Sequence, residues 1–213
     1  YTVSQLIHST IPKVKIAVLM GPLFANEIAL ENPSVAFLAS DDKVSLVAFK
    51  KILINDSFRV LESTDILGAE ISGALKNIYA ILMGILSGLQ YGWNTKSAFI
   101  ILALQEIALI VEHLGGKRET VYGLAGLGDL ITTGFGEQSR NRRFGQALCT
   151  LKSVEKAVKS VGQVVEGVKT LEVIDRVTAN YGGQLPLLGL IKQLVKGEDD
   201  PCAALEQFFK ENM

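Results

Sequence analysis

GAEISGALKNIYAILMG, the stretch from Gly68 to Gly84, predicts the helix around which the rest of the chain is organised. Ser63, Thr64 and Asp65 stand just before it. Their side-chain oxygens can accept hydrogen bonds from the free N–H groups of the first helical turn. The same place divides the sequence, because strands and helices alternate before residue 63 and only helices are predicted after it.

One face of this helix carries Gly73, Lys76, Ala80 and Gly84 at helical spacing. Three of these residues are small and allow another backbone to approach closely, so we expect Lys76 to lie among close neighbours. A lysine that has shed part of its hydration can exchange a proton with a substrate. Small residues also serve ordinary helix packing, and a lone lysine often extends to water. The stretch alone leaves both interpretations open.

The composition indicates a globular protein without a broad charged surface. The 213 residues are 48% apolar and 20% charged, with a net charge of −1. Nucleic acid and anionic membranes are therefore not expected partners, since both require an excess of Lys and Arg. The longest uncharged apolar run, Ile78 to Leu89, is shorter than the roughly 18 residues of a membrane span. Cys149 and Cys202 lack the spacing of a metal or disulfide site, which favours a reducing cytoplasm and no bound metal.

The first 62 residues alternate strand and helix patterns. Strands are predicted at residues 13–20, 34–39 and 58–61, and helices at residues 24–30 and 43–54. This order predicts an α/β domain, residues 1–62, that is half of a doubly wound sheet. The other half and its G-x-G-x-x-G phosphate-binding turn are not in the sequence, so we expect a fragment of a longer protein.

Residues 63–213 form the second predicted domain, which is all-helical. Beyond the first long helix, helices are predicted at residues 94–114, 139–148, 153–161, 166–181 and 186–196, and from residue 201 onward. The glycine-rich segment 122–129 fits no regular element.

Two local patterns in this domain are chemically suggestive. GLGD, ending at Asp129, places a carboxylate after a glycine turn, where it can accept hydrogen bonds from a lysine or from substrate hydroxyls, or act as a simple turn residue. SRNRRFG, from Ser139 to Gly145, sets three arginines at a predicted helix start, where free N–H groups and guanidinium groups suit a phosphate. An exposed basic helix face paired with carboxylates explains the second pattern equally well.

Five motifs occur in one order along the chain: GPLFANE at residues 21–27, GALKN at 73–77, GLGD at 126–129, SRNRRFG at 139–145 and QVVEG at 163–167. Together they resemble the bacterial-type NAD(P)-dependent glycerol-3-phosphate dehydrogenases, from about Ile16 to the C-terminus. The resemblance implies a partial Rossmann domain followed by an all-α substrate domain of the 6-phosphogluconate dehydrogenase C-terminal type. It also implies the reversible reduction of dihydroxyacetone phosphate to sn-glycerol 3-phosphate, which feeds glycerophospholipid synthesis, with NAD or NADP as the cofactor.

The resemblance also implies roles for individual residues. Lys76 would be the catalytic proton donor and acceptor, close to Asp129. The residues implied to bind the substrate are Gly21, Lys76, Asp129, Ser139, Arg140 and Asn141, and those implied to bind the cofactor are Ala25, Arg140, Val164 and Glu166. The protein would be a cytoplasmic homodimer that acts on a phosphorylated small molecule.

Two departures from the family pattern support an alternative. Leu23 stands where the family has Ser or Thr, and the family's dinucleotide fingerprint and a further upstream substrate-binding lysine fall outside this sequence. The chain alone is therefore not expected to catalyse the reaction. The alternative function is a non-catalytic helical module, derived from the same fold, that dimerises or binds a partner. The presence of Lys76, Asp129 and Arg140 together favours the enzyme.

Overall fold

The computed structural model describes residues 2–197 and 199–212. Tyr1 and Met213, the outer bounds of the two predicted domains, lie outside this part of the chain. The residues form two compact units, each built from two separate stretches. The first unit comprises the described residues up to Gly73 together with Ile107–Thr132, and the second comprises Ala74–Glu106 together with the described residues from Thr133 onward. The predicted division into residues 1–62 and 63–213 stays a prediction.

The first unit contains a three-stranded sheet in the order β1-β2-β3. The strands are β1 (Val18–Met20), β2 (Ser34–Ala39) and β3 (Phe58–Ser63). β2 and β3 are parallel, as half of a doubly wound sheet requires, and their register runs from Ser34 opposite Phe58 to Ala39 opposite Ser63. β1 pairs with β2 in the antiparallel direction. Open sheets that are otherwise parallel often carry such an antiparallel edge strand.

β1 is much shorter than the predicted strand at residues 13–20. Lys13 has a backbone φ of 75°, a left-handed conformation that interrupts an extended chain. Regular pairing with β2 begins only at Val18, opposite Ala39. A run of β-branched residues therefore predicted the strand but not the residue at which pairing starts.

The first unit also contains helices, which stand before, between and after the three strands along the chain. They are α1 (Val3–Thr10), α2 (Ala25–Ala29), α3 (Lys43–Leu53), the first part of α4 (Ile66–Gly88), the last part of α5 (Trp93–His113), α6 (Arg118–Val121) and most of α7 (Asp129–Phe135). A π-helical turn, Leu124–Gly128, stands between α6 and α7. The sheet core is a buried cluster of Ala36, Leu38, Leu46, Phe58 and Val60.

The predicted cap of α4 is confirmed at Asp65. Its buried carboxylate accepts hydrogen bonds from the backbone N–H of Gly68 at 2.9 Å, the backbone N–H of Lys117 at 2.9 Å and the hydroxyl of Thr120 at 2.6 Å. A Cβ on Gly68 would lie 2.0 Å from Oδ2 of Asp65, so the glycine makes room for the carboxylate. One side chain thus starts α4 and fixes the segment that leads into α6.

The second unit is helical throughout its described residues. Beside parts of α4, α5 and α7 it contains α8 (Arg140–Leu151), α9 (Val154–Val161), α10 (Glu166–Val177), α11 (Pro186–Lys196) and α12 (Pro201–Asn212). Ser139 and Ser153 cap α8 and α9, where each hydroxyl accepts a hydrogen bond from the N–H three residues later. These helices confirm the predicted all-α part, although α10 ends at Val177 and not at residue 181.

α4 and α5 are long and apolar enough to cross a membrane by length and composition. Their most apolar windows are 67% and 44% buried inside the molecule. Core helices of folded proteins meet the same two criteria, so the finding is weak evidence for a span. The expectation that the protein has no membrane span stays a prediction.

A buried carboxylate, Glu106 of α5, ties three helices of the second unit together. It accepts hydrogen bonds from the hydroxyl of Tyr79 at 2.9 Å and from the backbone N–H groups of Leu187 at 2.6 Å and Leu188 at 2.8 Å. The N–H groups of Leu187 and Leu188 lie in the first turn of α11, where no acceptor within the helix is available to them. Burial raises the pKa of the Glu106 carboxyl above its ordinary value.

We expect Glu106→Gln to destabilise the second unit by about 1–3 kcal/mol, because an amide cannot accept both backbone hydrogen bonds and one buried N–H loses its partner. The raised pKa means that the folded state holds the Glu106 proton more tightly than the unfolded state does. The stability supplied by this group is therefore fully present below the unfolded pKa and falls as pH rises through the folded pKa. Urea unfolding from about pH 4 to pH 7 should show the difference between wild type and variant shrinking as pH rises.

The matched control is Glu112→Gln, on the same helix. Glu112 forms an exposed ion pair with Arg118 at 2.8 Å, and such pairs contribute at most about 1 kcal/mol. Equal destabilisation by the two substitutions would contradict a special role for Glu106.

Candidate functional site

Lys76 lies on α4 in the second unit and is half-buried, on the predicted face of small residues. Its Nζ donates a hydrogen bond to Oγ1 of Thr133 at 3.0 Å. Thr133 is a buried residue of α7, and sequence reasoning did not single it out. The only signal was its position one helical turn after Asp129.

Of the small residues on the predicted face of α4, Gly84 does allow another backbone to approach, whereas Gly73 meets the side chain of Met20. A Cβ on Gly84 would lie 2.1 Å from the carbonyl oxygen of Arg142, and a Cβ on Gly145 would lie 2.1 Å from the carbonyl oxygen of Ile81. Both distances are far below any real Cβ contact, so α4 and α8 touch through their backbones. This contact sets the N-terminal part of α8, with its three arginines, against the helix that carries Lys76.

Two asparagines and a glycine connect α4, α8 and α10. Nδ2 of Asn141 donates to Oδ1 of Asn77 at 2.8 Å, and Oδ1 of Asn141 accepts from the backbone N–H of Gly167 at 2.8 Å. Asn141 is only 3% exposed. Sequence reasoning assigned Asn141 to the substrate and missed Asn77, although Asn77 directly follows Lys76 in the GALKN motif.

Arg140 and Glu166 form an ion pair in which Nη2 of the arginine donates to Oε1 of the glutamate. Their side chains are 39% and 40% exposed, so both remain accessible to a ligand. Glu166 is the first residue of α10, and Val164, two residues earlier, is 61% exposed. The second unit thus brings together the three residues predicted to lie along the cofactor in this part of the chain.

The start of α8 has the features expected of an anion site. Ser139, the N-cap, is buried, and its Oγ accepts from the backbone N–H of Arg142 at 3.2 Å. Arg140 is half-buried and Arg143 is exposed. The helix N-terminus and the guanidinium of Arg140 both favour negative charge.

The first unit brings Gly21 close to the glycine-rich segment. Gly21 follows β1 with a φ of 127°, a conformation that favours glycine, and a Cβ there would lie 3.7 Å from the carbonyl oxygen of Leu124. A Cβ on Gly128 would lie 3.5 Å from the ring of Pro22. Asp129 follows this turn as the first residue of α7, and it is buried.

The segment before Asp129 corrects one expectation. Residues 124–128 form a π-helical turn, where sequence analysis predicted no regular element. A Cβ on Gly126 would lie 2.0 Å from the carbonyl oxygen of Val121, so only glycine permits this tight return against α6. π-helical turns are rare and occur often at functional sites.

Two further residues of the GPLFANE motif differ in their surroundings. Ala25 is exposed at the start of α2. Leu23 is partly buried and packs against the apolar cluster of the sheet. The leucine therefore has a packing role that accounts for its apolar character.

The assigned binding and catalytic roles stay predictions. The predicted closeness of Lys76 to Asp129 also stays a prediction, since these residues belong to different units. Among the residues that the structure describes, no group of three or more His, Cys, Asp and Glu side chains is placed to hold a metal ion.

Comparison with known proteins places the chain among dehydrogenases. The chain is 39% identical over 188 residues to glycerol-3-phosphate dehydrogenase (NAD(P)+) of Vesicomyosocius okutanii, which is 88% of this chain and 58% of that protein. It is 38% identical over 192 residues to the enzyme of the same name from Clostridium botulinum, again 58% of that protein. The chain thus spans a little over half the length of these relatives.

A solved structure agrees with this assignment. The crystal structure of glycerol-3-phosphate dehydrogenase from Coxiella burnetii matches 98% of this chain and 64% of its own, with a TM-score of 0.91 and 34% identity. Residues 65–206 match the sequence model for the C-terminus of NAD-dependent glycerol-3-phosphate dehydrogenase. This match covers more than half of the 213 residues. The chain therefore belongs to the family of NAD-dependent glycerol-3-phosphate dehydrogenases, through the C-terminal domain of that family.

Proposed function

We propose that this chain is the substrate-binding part of an NAD(P)-dependent glycerol-3-phosphate dehydrogenase, which reversibly reduces dihydroxyacetone phosphate to sn-glycerol 3-phosphate for glycerophospholipid synthesis. One observation carries the proposal. The second unit joins the helices of Lys76, Arg140 and Glu166 through the hydrogen bonds of the buried Asn141. A proton-exchanging lysine and a phosphate-binding arginine are the two groups that reduction of a phosphorylated ketone requires.

Lys76 is the proposed catalytic acid. In the direction of reduction, Nζ of Lys76 gives a proton to the C2 oxygen as negative charge develops on it. In the reverse direction it takes the proton of the C2 hydroxyl. The hydrogen bond to Thr133 orients the Nζ. The half-buried position of Lys76 limits competition from water.

The phosphate of the substrate is proposed to bind at the start of α8. Arg140 supplies a planar guanidinium, and Ser139 and Asn141 supply polar groups at the helix N-terminus, where the dipole favours an anion. In the first unit, Gly21 and Asp129 are the proposed contacts to the rest of the substrate. Asp129 has a carboxylate that can accept hydrogen bonds from hydroxyl groups.

The chemistry of four residues fits a nicotinamide nucleotide. Arg140 can bind phosphate oxygens, Glu166 can accept hydrogen bonds from an amide or ribose hydroxyl, and the exposed Ala25 and Val164 offer small apolar surfaces. When bound, NADH or NADPH supplies the hydride that the carbonyl carbon receives. This chain's residues bind the nucleotide, orient the substrate and exchange the proton.

We further propose that the protein is a homodimer in the cytoplasm. Both cysteines, Cys149 and Cys202, are free thiols, which suits a reducing compartment. Burial raises the pKa of the Cys149 thiol to about 11, so it stays protonated at neutral pH and reacts slowly. Light scattering and fractionation of the full-length protein would test these two points.

The proposed function is tested in a protein that carries this chain extended to the full length of its relatives. We expect oxidation of NADH or NADPH that depends on dihydroxyacetone phosphate, and the reverse reaction with sn-glycerol 3-phosphate. A folded protein that binds neither the phosphorylated substrate nor the nucleotide would favour the non-catalytic helical module. The packing of Leu23 into the sheet cluster removes one argument for that alternative.

A separate prediction concerns the 213-residue chain alone. We expect it to bind NADH and NADPH only weakly, with dissociation constants well above the micromolar range. The sequence contains no G-x-G-x-x-G turn, whose backbone N–H groups cradle the pyrophosphate. Calorimetric titration measures the affinity, and micromolar binding by this chain would contradict the prediction.

A further inference from the structure

We propose that Asn77, Asn141 and Gly167 form a positioning relay, a set of residues joined by two hydrogen bonds. It fixes the position of the proposed catalytic lysine relative to the Arg140–Glu166 pair. This inference rests on the proposed function and deepens it. Asn77 and Gly167 do not need to touch a ligand for this role, and Asn141, a proposed phosphate contact, acts in it through its two hydrogen bonds to them. The three residues fix the helices that carry Lys76, Arg140 and Glu166.

The sequence positions of the relay residues carry the first part of the argument. Asn77 directly follows Lys76, Asn141 directly follows Arg140, and Gly167 directly follows Glu166. The two hydrogen bonds of the relay therefore join three backbones at the residue next to each proposed functional side chain. A shift of any one helix would move its functional residue by a similar amount.

The side-chain amide of Asn141 can make both hydrogen bonds in only one orientation. Its amide oxygen accepts from Gly167 N–H, and its amide nitrogen donates to Oδ1 of Asn77. If the amide turned over, it would set its NH₂ against the N–H of Gly167 and lose both bonds. Asn77 therefore fixes the orientation in which Asn141 can hold Gly167.

Burial and close packing make the relay stiff. Asn141 is 3% exposed, so water does not replace a lost hydrogen bond easily. A Cβ on Gly167 would lie 2.4 Å from the backbone carbonyl oxygen of Asn77, so α10 starts in direct contact with α4. Reacting groups must be held to within about 1 Å, since a larger displacement can reduce the rate about 10²-fold.

The relay is tested first by hydrogen exchange in the ¹⁵N-labelled 213-residue chain. Asn141→Ala should speed exchange of the Gly167 amide by about tenfold, since that amide loses its acceptor. Asn77→Ala should speed exchange of the same amide by a smaller factor, because the Gly167 N–H donates to Asn141, whose orientation Asn77 sets. The Leu187 amide, which donates to Glu106, should keep its rate and so show that the second unit remains folded.

The control variant is Ser87→Ala. Ser87 lies on α4 and is half-buried like Asn77, but its hydroxyl donates only within the helix, to the carbonyl of Met83 at 2.8 Å. Ser87→Ala should leave the exchange rate of the Gly167 amide unchanged. If Asn77→Ala also leaves that rate unchanged, Asn77 does not orient Asn141 and the relay is overturned.

The catalytic consequence is measured in the protein extended to full length. Asn77→Ala and Asn141→Ala should each lower kcat/KM for dihydroxyacetone phosphate by about 10- to 100-fold. The loss of kcat/KM in the double variant should be little larger than in the worse single variant, because both substitutions break the same connection between the helices. Losses that add in the double variant, or a wild-type kcat/KM in either single variant, would overturn the positioning role.

The outcomes also separate this inference from the proposed function. Absence of turnover in the unsubstituted full-length protein would overturn the proposed function and with it the catalytic purpose of the relay. Normal turnover that is insensitive to Asn77→Ala, with Gly167 exchange changed as expected, would overturn the positioning role alone.

Discussion

Lys76→Ala is expected to lower kcat by at least about 10²–10⁴-fold in the full-length protein, the range that a positioned acid–base group supplies. The loss should be at the upper end, because the ammonium group also stabilises the negative charge that develops on the carbonyl oxygen. Affinity for NADH or NADPH should stay nearly unchanged, since Lys76 is not among the proposed nucleotide contacts. Steady-state kinetics with dihydroxyacetone phosphate and equilibrium titration with the nucleotide measure the two quantities.

The control for Lys76 is Lys156→Ala. Lys156 is an exposed lysine on α9, and removing it changes the net charge by the same amount. It should leave kcat at the wild-type value. Circular dichroism must show that both variants are folded, because misfolding would also abolish activity. A folded Lys76→Ala protein with near wild-type kcat would refute the mechanism, whatever family the chain belongs to.

Arg140→Ala is expected to act mainly on binding. It should raise KM for dihydroxyacetone phosphate by about 10- to 100-fold, the change that corresponds to loss of a charged hydrogen bond of about 1.5–3 kcal/mol. Nucleotide affinity should fall as well, because the guanidinium is proposed to serve both ligands. Glu166 would lose its ion-pair partner and add an uncompensated negative charge near the phosphate site.

Arg143→Ala is the matched control for Arg140. Both residues lie in the first turns of α8, but Arg143 is exposed, and the substitution removes the same charge from the same helix. A general loss of positive charge would raise KM equally in both variants, whereas a specific phosphate contact predicts a large change only for Arg140. Equal KM values in the two variants would therefore remove Arg140 from the substrate site.

The contrast between Lys76→Ala and Arg140→Ala is more informative than either variant alone. Loss of a proton donor lowers kcat with little effect on binding, while loss of a phosphate contact weakens binding of both ground state and transition state. Equal changes in kcat and KM for the two variants would indicate a shared structural defect and not two chemical roles.

Local patterns in the sequence were sufficient for much of the fold. Periodicity and capping residues predicted α9 and α11 closely, because start signals such as Ser153 and Pro186 act within one helical turn. The cap at Asp65 was also predicted, although α4 extends to Gly88, beyond the predicted end at Gly84. The parallel pairing of β2 and β3 also agrees with the predicted strand–helix–strand order. The direction of β1 did not follow from the sequence, since pairing depends on the neighbouring strand and not on the strand's own residues.

The candidate residues were found in a similar way. Lys76 stood out as the one charge on the small-residue face of α4, and the three arginines of SRNRRFG stood out because they cluster at a helix start. The individual roles of Lys76 and Arg140 were implied by the resemblance to the family. Their partners were not visible, since Thr133 lies 57 residues from Lys76, and Glu166 lies 26 residues from Arg140. No local pattern specifies which distant side chain will complete a hydrogen bond.

The sequence by itself determined most of the helices, their caps and the small-residue face of α4, because these depend on backbone sterics and on hydrogen bonds between near neighbours. It did not predict α6, the π-helical turn or α7, which lie in and beside the glycine-rich segment. Only the tertiary structure decided what meets that face. The backbone contact between Gly84 and Arg142 and the relay from Asn77 through Asn141 to Gly167 join segments that are distant in sequence. Such contacts form only when whole helices pack, because the partners lie on different helices and come within hydrogen-bond distance only in the packed unit.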